Sequence, residues 1–295
     1  MNADIQRKYD IILTHMPHTE VSTGVLHALR NGGHNRLVVD IDDFAWGYPK
    51  GSGTEDYWTP ENLKRLEMNL RVADLVTTPS DVLAEYVSQF NENVLVQPNT
   101  IPEWVTTTAP STVSKFRIGY QGASQHKLDF TDEIMRHLSA FLFNHGRTEL
   151  HLYGFSEKSV YVPGEIRNRI IVKPWQSDIN EYYKSLRFEA GIGPLAANEF
   201  NRYKSDIRRR EYMAIGAVPV LQNYGPYESD FGGFMTGYMM YERLHDAYMT
   251  WRSPRRWADE YQTRRRHARD FFTTERNIGG LADGYARLAA GRTDY

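Results

Sequence analysis

The sequence predicts an α/β protein built from two parallel-sheet domains. Short apolar runs alternate with amphipathic segments of helix length, the signature of a parallel sheet with helices on both faces. That alternation lapses over residues 100–115, TIPEWVTTTAPSTVSK, where Thr, Ser and Pro give a linker composition. It then restarts at residue 116 and runs to about residue 222.

In the first half, Asp10–Thr14 and Leu37–Ile41 read as buried strands. Leu63–Ala73 reads as a helix and Asp74–Thr78 as a strand; Ser80 caps a helix to about Phe90, and Asn93–Gln97 is a further strand. In the second half, Phe116–Tyr120 leads into Gly122, and Asp129–His145 is a helix with Asp129 as its cap. Strands follow at Glu149–Tyr153 and Ile170–Lys173, then a helix at Ile179–Leu186. The strand Ala190–Pro194, a loop, a helix Asp206–Ala214 and the strand Val218–Leu221 complete the pattern. The polar, Arg-rich stretch Trp251–Phe272 reads as helical. The domains divide as 1–110 and 111–295, with the C-terminal helices as candidates to pack back on the first domain.

The chain has 295 residues, a formal net charge of −2 and 41% hydrophobic residues, enough for real cores. It has no cysteine, which excludes disulfides, thiolate metal sites and cysteine nucleophiles. No apolar run approaches the ~18 residues of a membrane span. The first residues, MNADIQRKYDIILTHMP, are too polar for a signal peptide, so a cytoplasmic location is expected. Near-neutral charge disfavours general nucleic-acid binding.

The stretch AGIGPLAANEFNRYKSDIRRREYMAIGAVPVLQ, residues 190–222, carries the most chemistry. Lys204 and Ser205 precede a helix whose free N–H groups and dipole suit a phosphate. Glu211 lies two turns in, where a carboxylate reaches past the phosphate to hydroxyls. Phosphate at a helix start and polyol beyond it describe a nucleotide-sugar. The small-residue turn Gly122-Ala123-Ser124 lets a ligand approach the backbone, with His126 or Lys127 placed to meet its charge. These loops and His15–His18 and Asp42–Trp46 follow strands, at the carboxyl edge where open parallel sheets bind ligands. The bland readings are a solvated helix start, an ordinary strand–helix turn and strand-end capping by Asp42 and Asp43.

Several of these segments, in order, resemble the glycosyltransferase family 4-like group of GT-B glycosyltransferases. They are VVDIDDFAW (38–46), ADLVTTPSDVLAEYV (73–87), VQPNTIP (96–102), RIGYQGASQHKLDF (117–130) and FNRYKSDIRRREYMAIGAVPV (200–220). The resemblance spans most of residues 38–222. It implies two Rossmann-like domains facing across a cleft, here with a reduced N-terminal acceptor domain and a C-terminal donor domain. It also implies sugar transfer from a nucleotide diphosphate sugar, with retention of configuration, no cofactor and no metal.

On that resemblance Gly122, Ser124, His126, Asn201, Lys204, Ser205 and Glu211 hold the donor. Lys204 and Arg202 stabilise the leaving diphosphate, His15 contacts the transferring sugar, and Asp42, Asp43 and Trp46 meet the acceptor. The family's paired glutamates are not both present. Glu211 fits the second, Tyr203 stands at the first position, and Glu199 lies upstream. The acceptor is a hydroxyl on a protein, glycan or small molecule. Three alternatives stay open. The seven arginines between Arg252 and Arg269 suit a modified DNA base as acceptor; the missing glutamate suits a non-catalytic nucleotide-sugar binder; Asp40 and Asp42 suit a metal-dependent enzyme. Replacing Lys204 by alanine is expected to lower transfer roughly a hundredfold with the fold intact, the scale of losing one charge-stabilising donor. A labelled-sugar assay beside circular dichroism checks it, and unchanged turnover would refute the phosphate role.

Overall fold

The computed structural model describes residues 8–33, 36–53, 55–108, 114–122, 124–155, 164–228 and 233–291. The chain divides into two compact units. The first comprises Met1–Asn99, Asn198–Ser205 and Asn277–Tyr295; the second comprises Thr100–Ala197 and Asp206–Arg276.

The first unit carries a parallel sheet of β1 (Ile11–His15), β2 (Arg36–Asp40), β3 (Leu75–Thr78) and β4 (Val94–Val96), in that order. The central strands bury both faces, which is why they read as near-continuous apolar runs. Helix Pro60–Val72 starts at Thr59, whose side chain accepts the Asn62 N–H, with proline in the first turn. Ser80 caps Asp81–Val87 in the same way through the Leu83 N–H. Helix Glu20–Gly32 follows the first strand, where the sequence reading placed no helix. A reciprocal capping box between Thr19 and Ser22 starts it, and Leu26 and Leu29 form its buried stripe. The last helix, Thr274–Ala289, places Leu288 against Val38 and Leu75.

The second unit carries β5 (Phe116–Gln121), β6 (Thr148–Tyr153), β7 (Ile170–Lys173), β8 (Ala190–Gly193) and β9 (Val218–Leu221). All its pairings are parallel, in the order β7-β6-β5-β8-β9. Strand order therefore reverses between β5 and β8. Phe116, Ile118 and Tyr120 face Leu138, Phe141 and Leu244 in one core; Phe188, Tyr212 and Phe272 anchor another. Gly119 and Gly191 are register partners across β5 and β8. A Cβ on Gly119 would meet the Phe188 ring at 2.1 Å, and one on Gly191 would meet the Tyr212 ring at 2.4 Å. Two adjacent strands thus lack side chains where two aromatic rings lie against the sheet.

Four expectations change. The helix after β5 is Asp132–Asn144, capped by Thr131; Asp129 ends a preceding 3-10 turn instead. The first part of the expected linker is ordered, with Ile101 bridged to Thr273 and Val105 buried. The Arg-rich helix is Pro254–Phe271, separate from helix Gly237–Trp251, because Pro254 removes an N–H and starts a new helix. Within the loop expected after β8, Glu199–Arg202 forms a helical turn capped by Asn198.

Gly191→Ala is expected to destabilise the protein by about 1–3 kcal/mol, the cost of overpacking a filled core. Gly24→Ala, where nothing lies within 4 Å of the new Cβ inside a helix, should stabilise by about 0.5–1 kcal/mol. Urea unfolding of both variants checks the pair.

Candidate active site

Open α/β sheets bind ligands beyond the carboxyl ends of strands at the point where strand order reverses. In the second unit that point lies beyond Gln121 of β5 and Gly193 of β8. Gly122 follows β5 and donates its N–H to the Tyr153 carbonyl at 3.1 Å. In the turn after it, buried His126 pairs through Nδ1 with Asp129 Oδ2 at 2.8 Å. Asp129 Oδ1 accepts the Ala196 N–H at 2.9 Å, which ties the loop after β5 to the loop after β8. Burial works against the charge of Asp129, but His126, this N–H and Arg208 outweigh it and hold its carboxyl below the usual range. Ala123 and the side chains of Ser124 and Lys127 lie outside the described residues.

Helix Ile207–Ala214 supplies two charges to the same edge. Arg208 is 7% exposed. Its Nε donates to the Gln121 carbonyl at 3.0 Å, and its guanidinium lies 4.8 Å from the centre of the Tyr120 ring. A Cβ on Gly122 would stand 3.0 Å from its Nη2. Among the described residues no carboxylate lies within ion-pair distance of it. Glu211, one turn on, is also buried. It accepts Gln121 Nε2 at 2.5 Å and the Tyr182 hydroxyl at 3.0 Å. Burial raises its carboxyl to about 7, against the pull of those donors and of Arg208. Tyr212, next after Glu211 in sequence, donates to the Ile192 carbonyl at 2.7 Å and fixes the helix on the sheet.

The residues expected just before this helix belong to the first unit. Lys204 Nζ donates to Asp43 Oδ1 at 2.8 Å and lies 4.1 Å from the centre of the Phe200 ring. Ser205 Oγ accepts Asn99 Nδ2 at 2.8 Å; Asn201 is buried, and Arg202 and Glu199 are exposed. Tyr203 stacks on Phe44 at 4.0 Å. The helix start itself is Asp206, paired with Arg209 and Arg210, so an acidic side chain meets its dipole.

A second cluster lies at the carboxyl edge of β1 and β2 in the first unit. His15 and Asp40 end these strands as register partners. His15 Nδ1 lies 3.1 Å from Asp40 Oδ2, and Nε2 lies 3.4 Å from Asp42 Oδ1. Thr77 donates to the other Asp40 oxygen at 2.5 Å. The bond to Asp40, with the charges of Asp42 and Asp43 adding to it, raises the imidazole against partial burial. Asp42 is raised by burial and then by Asp43. Asp43 also accepts the Tyr48 hydroxyl at 3.3 Å. Trp46 donates Nε1 to Glu67 at 3.0 Å and stacks on Phe90 at 5.5 Å, so its face is engaged within this unit. His18 bonds the Met16 carbonyl at 2.8 Å. Among the described residues, no group of three or more His, Asp or Glu side chains is arranged to hold a metal ion. No helix among them is long and apolar enough to cross a membrane.

Sequence reasoning singled out Gly122, His126 and Glu211 beyond β5 and missed Arg208, Asp129 and Gln121. Arg208 was hidden in a run of three arginines, although its spacing of three from Glu211 puts the two on one helical face.

No family model matches the chain, and no curated sequence matches it. Solved structures do. TarM superposes with a TM-score of 0.61 at 11% identity, over 93% of this chain and 54% of that one. The trehalose 6-phosphate synthase of Burkholderia multivorans gives 0.64 at 14% identity, over 98% of this chain and 74% of that one. The sucrose-phosphate synthase of Thermosynechococcus elongatus gives 0.64 at 13%, over 98% and 76%. The chain has the GT-B glycosyltransferase fold. It spans about half the length of TarM. In GT-B terms the cluster around Arg208 and Glu211 lies in the C-terminal Rossmann-like unit, and the cluster around His15 lies in the N-terminal one.

Buried Glu211 makes stability depend on pH. Between the ordinary carboxylate range and about 7, the folded protein keeps a proton that the unfolded chain has released. Stability therefore falls as pH rises through that window and levels off above it. Urea unfolding at about pH 5 and about pH 8 should show the wild type losing about 2–3 kcal/mol more than Glu211→Gln across that interval. Parallel behaviour of the two proteins would contradict the raised carboxyl.

Proposed function

We propose that the chain is a glycosyltransferase that moves a sugar from a nucleotide diphosphate sugar to a hydroxyl acceptor. The observation that carries this reading is the pair Arg208 and Glu211 beside Gly122, where strand order reverses in the second unit. A buried guanidinium without a carboxylate partner suits the charge that grows on a leaving diphosphate. A fixed, low-dielectric setting makes such a donor effective as the bond breaks. Glu211, with Gln121 and Tyr182, offers polar groups suited to ribose hydroxyls. Gly122 leaves room for the donor to approach the backbone. The GT-B fold supports the same assignment.

In this reading Lys204, Arg202 and Ser205 are phosphate-binding residues, and His126 and Asn201 are donor-binding residues. His15 contacts the transferring sugar; Asp42, Asp43 and Trp46 meet the acceptor. The atoms balance without a protein nucleophile. The acceptor oxygen bonds to the anomeric carbon, the bond from that carbon to the diphosphate oxygen breaks, and the acceptor proton passes to the leaving phosphate. Retention of configuration and independence of a metal belong to this proposal, with protein cations meeting the phosphate charge.

A TarM variant was solved with UDP, and a trehalose-phosphate synthase of Burkholderia xenovorans is described as UDP-forming, so UDP is the first nucleotide to try. A thermal-shift panel of UDP, GDP, ADP and their sugars should show one nucleotide series raising the midpoint, since a ligand of the native state stabilises by mass action. That rise should shrink in Arg208→Met, and transfer of labelled sugar should fall roughly a hundredfold. If no nucleotide shifts the midpoint, the reading fails. An anomeric proton spectrum of the product decides retention.

A further inference from the structure

His15, Asp40 and Thr77 form a row across three adjacent strands of the first sheet. His15 ends β1, Asp40 ends β2 beside it in register, and Thr77 of β3 lies beside Asp40. Register partners in a parallel pair share a face with their strands about 4.8 Å apart, so side chains can bond along the row. Thr77 Oγ1 donates to Asp40 Oδ1 at 2.5 Å, and Asp40 Oδ2 takes His15 Nδ1 at 3.1 Å. The row runs from the interior outward. Thr77 is 4% exposed, the Asp40 side chain 37% and the His15 side chain 53%. One Asp40 oxygen is fixed by a buried hydroxyl, so the carboxylate is held from turning, and the imidazole on the other oxygen is held with it. That leaves Nε2 at the open rim, 3.4 Å from Asp42 Oδ1.

The next residue carries a backbone cost. Met16 has a φ of +40°, the one positive value among the described non-glycine residues. Such a conformation costs about 1–3 kcal/mol and persists only where its surroundings enforce it, as functional sites do. Met16 is buried; its N–H donates to the Asp40 carbonyl at 2.9 Å and its carbonyl takes His18 Nδ1 at 2.8 Å. The turn that ends β1 is clamped on both sides of a strained residue, and His15 stands directly before it.

Charge decides the state of the ring. The bond to Asp40 outweighs burial and, with Asp42 and Asp43 adding, lifts the imidazole above its ordinary value. Two further groups face the row. Lys204 opposes the rise of Asp42, and Tyr285 of the last helix is raised by burial and then by Asp40. An imidazole held between two carboxylates carries a proton on each nitrogen. It has no lone pair with which to take a proton, and it has an N–H to give.

We propose that Asp40 and Thr77 are positioning residues that hold His15 as a fixed cation, so that its Nε2–H and Asp42 together clamp one substrate hydroxyl. The hydroxyl accepts from Nε2 and donates to the Asp42 carboxylate. The role rests on the sugar-transfer reading above and makes His15 a donor, not a base.

The test has two arms, both on the full chain. Nitrogen-15 spectra of the histidine rings follow His15 without substrate, its signal identified by its loss in His15→Gln. At neutral pH both of its ring nitrogens should be protonated in the wild type, and in Asp40→Asn the ring should lose its charge at lower pH. In the second arm, transfer of labelled sugar is followed against pH. His15→Gln should lower kcat/KM roughly tenfold or more, the scale of one hydrogen bond to a charged group. A rise in donor KM in that variant puts the clamped hydroxyl on the sugar, and a rise in acceptor KM puts it on the acceptor. The ratio of Asp40→Asn to wild type should rise toward one at mildly acid pH, where the ring is charged in both, and fall as pH rises. A ratio equally low at every pH marks a merely structural Asp40 and overturns the proposal. So does a neutral His15 ring in the wild type at neutral pH, which decides alone should Asp40→Asn not fold. If no nucleotide shifts the thermal midpoint, the sugar-transfer reading fails and the clamp falls with it. If nucleotides bind and sugar moves but His15→Gln transfers it unchanged, the clamp alone fails.

Discussion

The proposed donor site rests on a pair of missing side chains. Gly119 and Gly191 face each other across the two strands where the second sheet reverses its order. Their bare backbones admit the rings of Phe188 and Tyr212, which meet edge to face at 5.3 Å. Tyr212 then reaches the Ile192 carbonyl and pins helix Ile207–Ala214 close to the strands. Only with the helix this near do Arg208 and Glu211 reach Gln121 at the end of β5. The charged groups are downstream of a steric allowance.

Those two charges are held differently. Glu211 has several donors around it, yet burial still favours its protonated form. Arg208 cannot lose its charge, so its surroundings must tolerate it: a carbonyl, tyrosine hydroxyls and a ring face, with Asp129 acting from further off. In the first unit the logic reverses. Three aspartates crowd one edge, and His15 and Lys204 are the cations that answer them.

Much of the fold was legible because buried strands announce themselves. Leu75–Thr78 and Ile170–Lys173 are short apolar or β-branched runs bounded by polar residues, and the structure has strands there. Helix Glu20–Gly32 was not legible. Its cap is Thr19 with Ser22, and its buried stripe is only Leu26 and Leu29, so neither the cap nor the period stands out. The site was legible in part. A glycine after a strand and a carboxylate in the next helix are local signals. The placement of Lys204 depends on Asp43, 161 residues away, and the tie between Asp129 and the Ala196 N–H spans 67. Such partners are fixed by tertiary structure, and no local pattern carries them. The helix start shows the same limit: Lys204 and Ser205 read as a cationic entry, and Asp206, paired with Arg209 and Arg210, is the residue that stands there.

The path of the chain has a consequence for how the protein is made. Val38 and Leu75, at the centre of the first sheet, are covered by Leu288, and Leu95 packs where Gly284 leaves space for it. Phe200 enters the aromatic cluster with Phe44 and Tyr48 from far downstream. The first unit is thus begun before the second is made and finished after it. Its strands must wait, partly uncovered, through synthesis of the whole intervening lobe, a window in which a nascent chain is most in need of a chaperone.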